Sequence, residues 1–361
     1  MEDKISKEGI TFDDVLLLPG YTDFKRADVD LTTKLHKRLQ LKLPIISSPM
    51  DTVTEETMAV VLAQAGGLGI IHRNLSIDDQ AKQVSGVKQK NYQVGAAVGA
   101  GTDLEARVDA LVNAKVDVLV VDSGHGNTKF VVDSVQLIKK RFSDVVVMAG
   151  NVATYDGAKR LIDAGADILR VGMGPGSICT TRIITGMGVP QLTAIAEAVK
   201  AAKGTGVTII ADGGIRQIGD MAKAFGIGAA AVMLGSLLAG YDESPGEVTI
   251  INGAKYKQYR GMGSVSAMKK GSAERYGQSK ETEQKKLISE GVEGLVPYKG
   301  NVTDYFDQVT GSLRSSFYYV GAKTMAEFQA KARFVRITPA SLIESHPHSI
   351  VIRDPGANYT L

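Results

Sequence analysis

Residues 145–172 read VVVMAGNVATYDGAKRLIDAGADILRVG. The stretch begins with a continuous apolar run, Val145 to Gly150, and ends in a second one, Asp167 to Gly172. Between them, Thr154 to Ala164 has the three- and four-residue apolar spacing of a helix packed on one face. Apolar runs without alternation are typical of strands buried on both faces of a parallel sheet. The stretch therefore predicts a strand, a helix and a second, parallel strand.

The same unit recurs along the chain. The other runs that predict strands are Pro44 to Ser47, Leu68 to His72, Val94 to Gly99, Val116 to Asp122, Val207 to Asp212 and Ala230 to Gly235. Helical spacing recurs in Asp103 to Ala114, Thr128 to Arg141 and Gln191 to Ala202. Eight strands alternating with helices predict an α/β fold of the TIM or (β/α)₈ barrel class, as a single domain over residues 1–361. A doubly wound open sheet is the alternative.

Bulk composition excludes several classes of protein. The chain is 44% hydrophobic and 22% charged, and its net charge of +3 with scattered lysines and arginines argues against nucleic acid as the main partner. No apolar run approaches the roughly 18 to 20 residues that span a bilayer, and the first ten residues lack a signal-peptide pattern, so we expect no membrane partner. A single cysteine forms no internal disulfide, which indicates a reducing, cytoplasmic setting.

Two segments depart from the regular strand–helix alternation. The loop between the sixth and seventh predicted strands is about twice the usual length and contains the single cysteine, Cys179. After the eighth strand, residues 241–300 are rich in glycine, lysine and serine, and we predict that this segment, called the flap below, is a long mobile excursion. Within it, Thr249 to Ile251 and Tyr256 to Tyr259 are predicted to form a hairpin about Asn252-Gly253.

The last part of the chain is simpler. Apolar spacing predicts one helix near Asn301 to Leu313 and another near Thr324 to Arg333, followed by a polar tail over residues 336–361. The tail contains His346-Pro347-His348, but two histidines without a third ligand are weak evidence for a metal, so a surface tail is the simpler interpretation.

Glycines and polar residues follow the predicted strands at the rim where barrels bind ligands. Asp212-Gly213-Gly214 and Gly235-Ser236 follow strands seven and eight, where glycine lets backbone N–H groups approach a phosphate; two tight turns are the alternative. Gly172-x-Gly174-x-Gly176 is not a dinucleotide fingerprint, because the next helix is too distant and no acidic residue stands where a ribose is bound. We interpret it as a flexible loop. His125 follows strand four, where contact with a ligand and a structural hydrogen bond are both open.

Cys179 lies at the end of this loop. A lone cysteine is more often an inert core residue than a reactive one. Here its neighbours are Ser177, Thr180, Thr181 and Arg182, which suits a partly exposed thiolate in an electropositive setting. We therefore predict that Cys179 is a nucleophile.

The stretch Leu169 to Arg182 resembles the signature of the family that contains inosine-monophosphate dehydrogenases and guanosine-monophosphate reductases. Further stretches similar to this family are Thr11 to Asp14, Ser47 to Val53, Gly150-Asn151, Ala211 to Arg216 and Tyr259 to Ser264. Glu274-Arg-Tyr-Gly-Gln278 resembles the flap of the dehydrogenases, whose Arg–Tyr pair serves hydrolysis. The resemblance therefore implies a dehydrogenase, with a reductase and a catalytically silent nucleotide-binding or scaffold protein as alternatives.

The resemblance implies oxidation of inosine 5′-monophosphate (IMP) to xanthosine 5′-monophosphate by NAD⁺, the committed step of guanine nucleotide biosynthesis. Cys179 would add to C2 of the purine, and Arg275, Tyr276 and Thr181 would serve the hydrolytic step. The residues implied to hold IMP are Ser48, Met50, Ser177, Asp212, Gly213, Gly214, Gly235, Ser236, Tyr259, Gly261, Met262, Gly263 and Glu290. Those implied on the NAD⁺ side are Asp122, Ser123, Asn151, Gly172, Gly174 and Tyr319.

A monovalent cation, K⁺, is also implied by the resemblance. Its ligands would be carbonyls of Gly172, Gly174 and Cys179, completed by Glu344, Ser345 and His346 of a neighbouring subunit, which implies a homotetramer. Two features depart from the family. Only residues 74–93 stand where a pair of cystathionine-β-synthase-type modules is usual, so the modules are absent, by nature or by engineering. Phe317-Tyr318-Tyr319 replaces a more glycine-rich stretch, which bears on the implied contact of Tyr319 with NAD⁺.

Overall fold

The computed structural model describes residues 4, 5, 8–279, 281–354 and 359. Its strands are, in chain order, Val15–Leu17 (β1), Thr33–His36 (β2), Leu39–Leu41 (β3), Ile45–Ser47 (β4), Leu68–Ile71 (β5), Val94–Val98 (β6), Val118–Asp122 (β7), Val146–Val152 (β8), Ile168–Val171 (β9), Thr208–Asp212 (β10), Ala231–Leu234 (β11), Val248–Ile251 (β12), Ala254–Arg260 (β13), Glu293–Pro297 (β14) and Phe334–Arg336 (β15).

Helices alternate with the strands from β4 onward. They are Glu56–Gln64 (α1), Ile77–Gln89 (α2), Leu104–Asn113 (α3), Lys129–Arg141 (α4), Tyr155–Asp163 (α5), Thr181–Thr185 (α6), Gln191–Ala202 (α7), Ile218–Gly226 (α8), Ser236–Ala239 (α9), Val265–Lys270 (α10), Thr303–Val320 (α11), Met325–Lys331 (α12) and Pro339–Glu344 (α13). Short 3₁₀ helices lie at Phe12–Asp14, Arg26–Asp28, Ser272–Tyr276 and Gln284–Lys286. No helix of the described ranges is both long and apolar enough to cross a membrane.

Strands β4 to β11 form a closed parallel barrel, in which each strand pairs with the next and β11 pairs with β4. This confirms the predicted (β/α)₈ class, whereas a doubly wound sheet would leave two strands unpaired on one side. All eight predicted strands are present within two residues of their predicted ends. The agreement has a physical cause: the barrel strands are buried on both faces along most of their length, so each is mainly an apolar run without alternation.

The barrel interior is closed at its amino-terminal end by a hairpin that we did not predict. Leu35, Leu39 and Leu41 of β2 and β3 belong to the same buried cluster as the inward side chains of the barrel strands. The hydroxyl of Thr208, at the first residue of β10, donates to the Leu35 carbonyl at 2.9 Å and anchors the hairpin there. This end is therefore packed, and the opposite rim is left for ligands.

Helix α11 is longer than predicted. Its buried residues, Phe306, Val309, Leu313, Phe317 and Val320, continue the three- and four-residue spacing past the predicted end at Leu313. The helix ends where Gly321 adopts a φ of 80°, a left-handed conformation that favours glycine. The predicted end was wrong because Phe317 and Val320, which continue the buried face, were not recognised as part of the same helix.

The flap contains more regular structure than its composition suggested. The predicted hairpin is confirmed as β12 and β13, with Asn252 (φ 50°) and Gly253 (φ 82°) as its two-residue turn. A third strand, β14, pairs with β13 and was missed, because its sequence, EGLVP, contains glycine and proline and its side chains are mostly exposed. Residues 74–93, predicted as a short connection, contain α2.

Candidate active site

A cavity lies at the carboxyl-terminal rim of the barrel and brings together most of the predicted site residues. Those that line it are Ser48, Met50, Asn151, Gly172, Gly174, Ser177, Cys179, Thr181, Asp212, Gly213, Gly214, Gly235, Ser236, Tyr259, Gly261, Met262, Arg275, Tyr276 and Glu290. They come from the ends of four barrel strands (β4, β8, β10 and β11), the loop after β9 and the flap. The closed barrel places these distant segments at one mouth.

The loop after β9 holds Cys179 half-buried at the cavity wall. The Cys179 thiol donates to the hydroxyl of Thr181 at 3.1 Å. The loop is fixed to the flap by backbone hydrogen bonds, from Thr180 N to the Glu290 carbonyl at 3.0 Å and from Val292 N to the Ile178 carbonyl at 3.0 Å. Access from the cavity distinguishes this thiol from an inert core cysteine and suits it to attack a bound ring.

A glycine-lined recess lies beside the thiol at the ends of β10 and β11. Gly213 and Gly214 have φ values of 89° and 78°, which side chains rarely adopt. A Cβ atom at Gly235 would lie 2.9 Å from the Tyr259 hydroxyl and 3.3 Å from the Met50 sulfur. Glycine at these positions keeps the recess open and leaves backbone N–H groups accessible, as an anion site requires.

Tyr259 lies buried at the floor of this recess. Burial raises the pKa of Tyr259 to about 12, against the opposing effect of its hydrogen bonds to Ser177 and Ser236 and with a further contribution from Asp212. The phenol therefore stays protonated through the physiological range. A protonated phenol in this position is able to donate to a phosphate oxygen.

A charged network beneath the cavity fixes two carboxylates. Arg170 is 3% exposed, and its Nε donates to Asp212 Oδ2 at 2.8 Å while its Nη1 contacts Asp122 Oδ1. Asn151 Nδ2 also donates to Asp212 Oδ2, at 2.7 Å. The carboxylates are held in place by these donors, which is the preorganisation that a ribose- or cation-binding carboxylate needs. We did not predict Arg170 as a site residue, although a charge inside an apolar run was the signal for it.

The flap places two adjacent side chains against the cavity. Arg275 forms an ion pair with Asp122, and its carbonyl accepts a hydrogen bond from Gly124 N at 2.9 Å. The Arg275 Nε is buried and has no hydrogen-bond partner among the described residues. Burial raises the pKa of the neighbouring Tyr276 phenol, with Arg275 opposing and Cys179 adding to the shift. With both side chains present, the cavity volume is about 190 Å³.

A few predicted residues lie outside this cavity. Ser123 is on the rim, where its hydroxyl donates to the His125 carbonyl at 3.1 Å, and the His125 side chain is exposed. Gly263 lies behind Glu290, whose N–H it accepts at 3.1 Å. Tyr319, on α11, is 64% exposed. Asp122 is also absent from the lining, since it lies beneath the cavity in contact with Arg170 and Arg275. Three more residues, which end α13 or follow it, are exposed away from the cavity: Glu344, Ser345 and His346.

Comparison with known proteins agrees with this geometry. Residues 9–348 match the family model described as the IMP dehydrogenase / GMP reductase domain. The chain belongs to this family. The inosine-5′-monophosphate dehydrogenase of Borreliella burgdorferi is 43% identical over 400 residues, which cover 97% of this chain and 99% of that relative. Proteins of the same name from Halalkalibacterium halodurans and Bacillus subtilis are 39% and 38% identical, over all of this chain and 100% and 99% of their own lengths.

These alignments also bear on the missing modules. They extend over 486 residues for H. halodurans and 488 for B. subtilis, although this chain has 361. Those relatives therefore contain residues that this family member lacks. This agrees with the predicted form of the family, without the pair of cystathionine-β-synthase-type modules.

Proposed function

We propose that this chain oxidises IMP to xanthosine 5′-monophosphate, with NAD⁺ as the hydride acceptor, and thereby supplies guanine nucleotide synthesis. One observation carries the proposal: an accessible thiol, a glycine-lined anion recess and the flap residues Arg275 and Tyr276 border a single cavity. The similar proteins support it, since each is named as an inosine-5′-monophosphate dehydrogenase.

The nucleotide would lie across the cavity from the recess to the thiol. Its phosphate would accept hydrogen bonds at Gly213-Gly214 and at Gly235-Ser236, and Asp212 would accept the ribose hydroxyls. The base would extend past Met262 towards Glu290, which brings C2 to the Cys179 sulfur.

The proposed reaction has two chemical steps. The Cys179 thiolate adds to C2, which makes that carbon tetrahedral, and a hydride leaves C2 for NAD⁺ while the carbon–sulfur bond remains. Water then adds to C2 and loses a proton, and the thiolate leaves with xanthosine 5′-monophosphate as product. Arg275, assisted by the Thr181 hydroxyl, would activate this water. A free thiol is needed throughout, so we also propose a reducing, cytoplasmic setting.

A direct assay tests the proposed function. Purified protein incubated with IMP and NAD⁺ is expected to form NADH, followed by its ultraviolet absorbance. A reductase would form none from this pair but would oxidise NADPH in the presence of guanosine 5′-monophosphate. Arg275 and Tyr276 at the cavity favour the dehydrogenase, because a reductase has no hydrolytic step for them to serve. Binding of IMP without turnover of either pair would favour a silent nucleotide-binding protein.

The K⁺ site stays a proposal that depends on a neighbouring subunit. Within one chain, the Gly172 carbonyl already accepts a hydrogen bond from Asn151 Nδ2 at 3.0 Å. Arg182 crowds the other side of the loop, where a Cβ atom at Gly174 would lie 2.5 Å from its Cγ. The carbonyls of Gly174 and Cys179 therefore require further ligands, and the exposed end of α13 from another subunit of a homotetramer would supply them.

We expect K⁺ to raise the steady-state rate saturably, because a cation bound to the carbonyls would hold the Cys179 loop in its reactive conformation. The measurement is a KCl titration at constant ionic strength, with LiCl as the balancing salt and sedimentation velocity to follow assembly. A flat rate across the titration would remove the cation assignment, and a monomeric active enzyme would remove the shared site.

A further inference from the structure

A buried arginine next to the cavity has an incomplete set of partners. Arg73 lies two residues after β5 and is 8% exposed. Its Nη2 has no hydrogen-bond partner in the part of the chain that the structure describes. Burial lowers the pKa of Arg73, and Glu274 is the largest influence opposing that shift. A buried guanidinium with a free donor is costly, so its stabilisation depends on the few charges that reach it.

The carboxylate with the largest effect on Arg73 belongs to the flap residue Glu274, and Asp103 has a smaller effect in the same direction. Glu274 Oε2 lies 3.6 Å from Arg73 Nη1, and Glu274 directly precedes Arg275. The Glu274 side chain is 46% exposed, so it covers Arg73 on the side that faces solvent. Two other cations, Arg275 and Arg107, lie close enough to lower the pKa of Arg73, but each has its own carboxylate. Arg275 is paired with Asp122, and Arg107 Nε donates to Asp103 Oδ2 at 2.8 Å.

Two glycines in the loop after β6 leave room for this ion pair. A Cβ atom at Gly99 would lie 2.9 Å from Arg73 Nη1, and one at Gly101 would lie 2.3 Å from Glu274 Oε2. The loop from Gly99 to Gly101 therefore accommodates Arg73 and Glu274 in this position because neither glycine carries a side chain. A contact that requires glycine at two neighbouring positions is more specific than a chance encounter of surface charges.

We propose that Arg73 and Glu274 form a latch, which holds the flap against the barrel rim and thereby positions Arg275 in the cavity. The effect of this latch on catalysis, unlike the contact itself, rests on the proposed function. Three consecutive flap residues then contact three parts of the rim: Glu274 binds Arg73 after β5, Arg275 binds Asp122 at the end of β7, and Tyr276 borders the cavity. Arg73 and Glu274 act through Arg275 and are positioning residues.

The latch affects one of the two chemical steps. In the proposed reaction, the flap would leave the nicotinamide position free during hydride transfer and would bring Arg275 into the cavity for hydrolysis. Weakening the latch shifts the flap towards its open form without altering the thiol or the anion recess. Hydrolysis then slows, the covalent intermediate accumulates, and excess NAD⁺ competes more strongly with flap closure.

The test compares Glu274→Gln with Glu283→Gln, a matched control on an exposed flap glutamate that pairs only with Lys285 and Lys286 among the described residues. For Glu274→Gln we expect an unchanged first-turnover burst of NADH, a steady-state rate lowered roughly three- to tenfold, and a larger fraction of enzyme bonded to nucleotide by intact mass. Inhibition by excess NAD⁺ is expected to begin at lower concentration. Glu283→Gln should match the wild type in all four measurements.

The test also includes a second variant and a measurement that does not depend on enzyme activity. Gly101→Ala crowds Glu274 without changing any charge and should reproduce the Glu274→Gln result. In limited trypsin digestion without substrates, both variants should be cleaved faster after Arg275, which is 10% exposed, but at the wild-type rate after Lys285, which is 80% exposed.

Two results would overturn the latch. One is a trypsin cleavage rate after Arg275 that does not change in Glu274→Gln. The other is a burst and a steady-state rate that fall together, since that indicates damage to the site rather than a shift of the flap. A wild-type enzyme that forms no NADH would refute the proposed function instead, and the trypsin measurement would still decide whether the latch exists.

Discussion

Cys179→Ala is expected to remove NADH formation from IMP and NAD⁺, lowering kcat by roughly 10⁴-fold or more. The hydride leaves C2 only after a nucleophile has made that carbon tetrahedral, and alanine provides none. The fold should tolerate the change, because the Cys179 side chain is only half-buried and its thiol makes one hydrogen bond, to Thr181. We expect the free energy of unfolding to fall by no more than about 1 kcal/mol.

The measurement combines steady-state kinetics with intact mass of enzyme trapped during turnover. The wild type should carry one nucleotide adduct, located on Cys179 by peptide mapping, and Cys179→Ala should carry none while still binding IMP. Met187→Ala is the matched control, since Met187 follows the same loop and is 61% exposed. Retained turnover in Cys179→Ala, or an adduct on any other residue, would contradict the nucleophile assignment.

The fold was predictable because one physical constraint repeats. Each barrel strand is buried on both faces along most of its length, so it is mainly a short apolar run, and β6 (VGAAV) and β7 (VLVVD) show this plainly. The amino-terminal hairpin escaped prediction because β2 reads TKLH and β3 reads LQL, lengths at which alternation is indistinguishable from chance. Its burial depends on the open end of the barrel, which no local pattern describes.

Candidate site residues were predictable where they directly follow a barrel strand. They were not predictable where their role depends on which residues the closed sheet places beside them. Cys179 and the glycines after β10 and β11 could be predicted to share one cavity because a barrel collects strand ends at one rim. Arg170 was missed because its role comes from carboxylates on β7 and β10, which the closed sheet places on either side of it. The contact of Arg73 with Glu274 is equally invisible in sequence, since it joins a rim loop to a distant part of the flap.

Arg275→Ala is expected to separate the two chemical steps. Hydride transfer involves Cys179, the purine and NAD⁺, so the first turnover should still release a full burst of NADH. Hydrolysis should slow by roughly 10²- to 10⁴-fold, the range of a lost acid–base group. Enzyme bonded to nucleotide through Cys179 should then be the predominant species in the steady state. Rapid-mixing absorbance gives the burst, and intact mass gives the bonded fraction.

The contacts of Asp122 explain why we expect Arg275→Ala to impair hydrolysis by the flap and not the binding of the nucleotide. Its carboxylate contacts both Arg170 and Arg275, so Arg275→Ala removes one of two cations and leaves Asp122 still paired with Arg170. The barrel rim should therefore keep its structure and its affinity for IMP. Lys285→Ala, on an exposed flap residue, is the matched control and should turn over as the wild type does. If Arg275→Ala lost the burst together with the steady-state rate, Arg275 would be acting before or during hydride transfer, and its assignment to hydrolysis would be wrong.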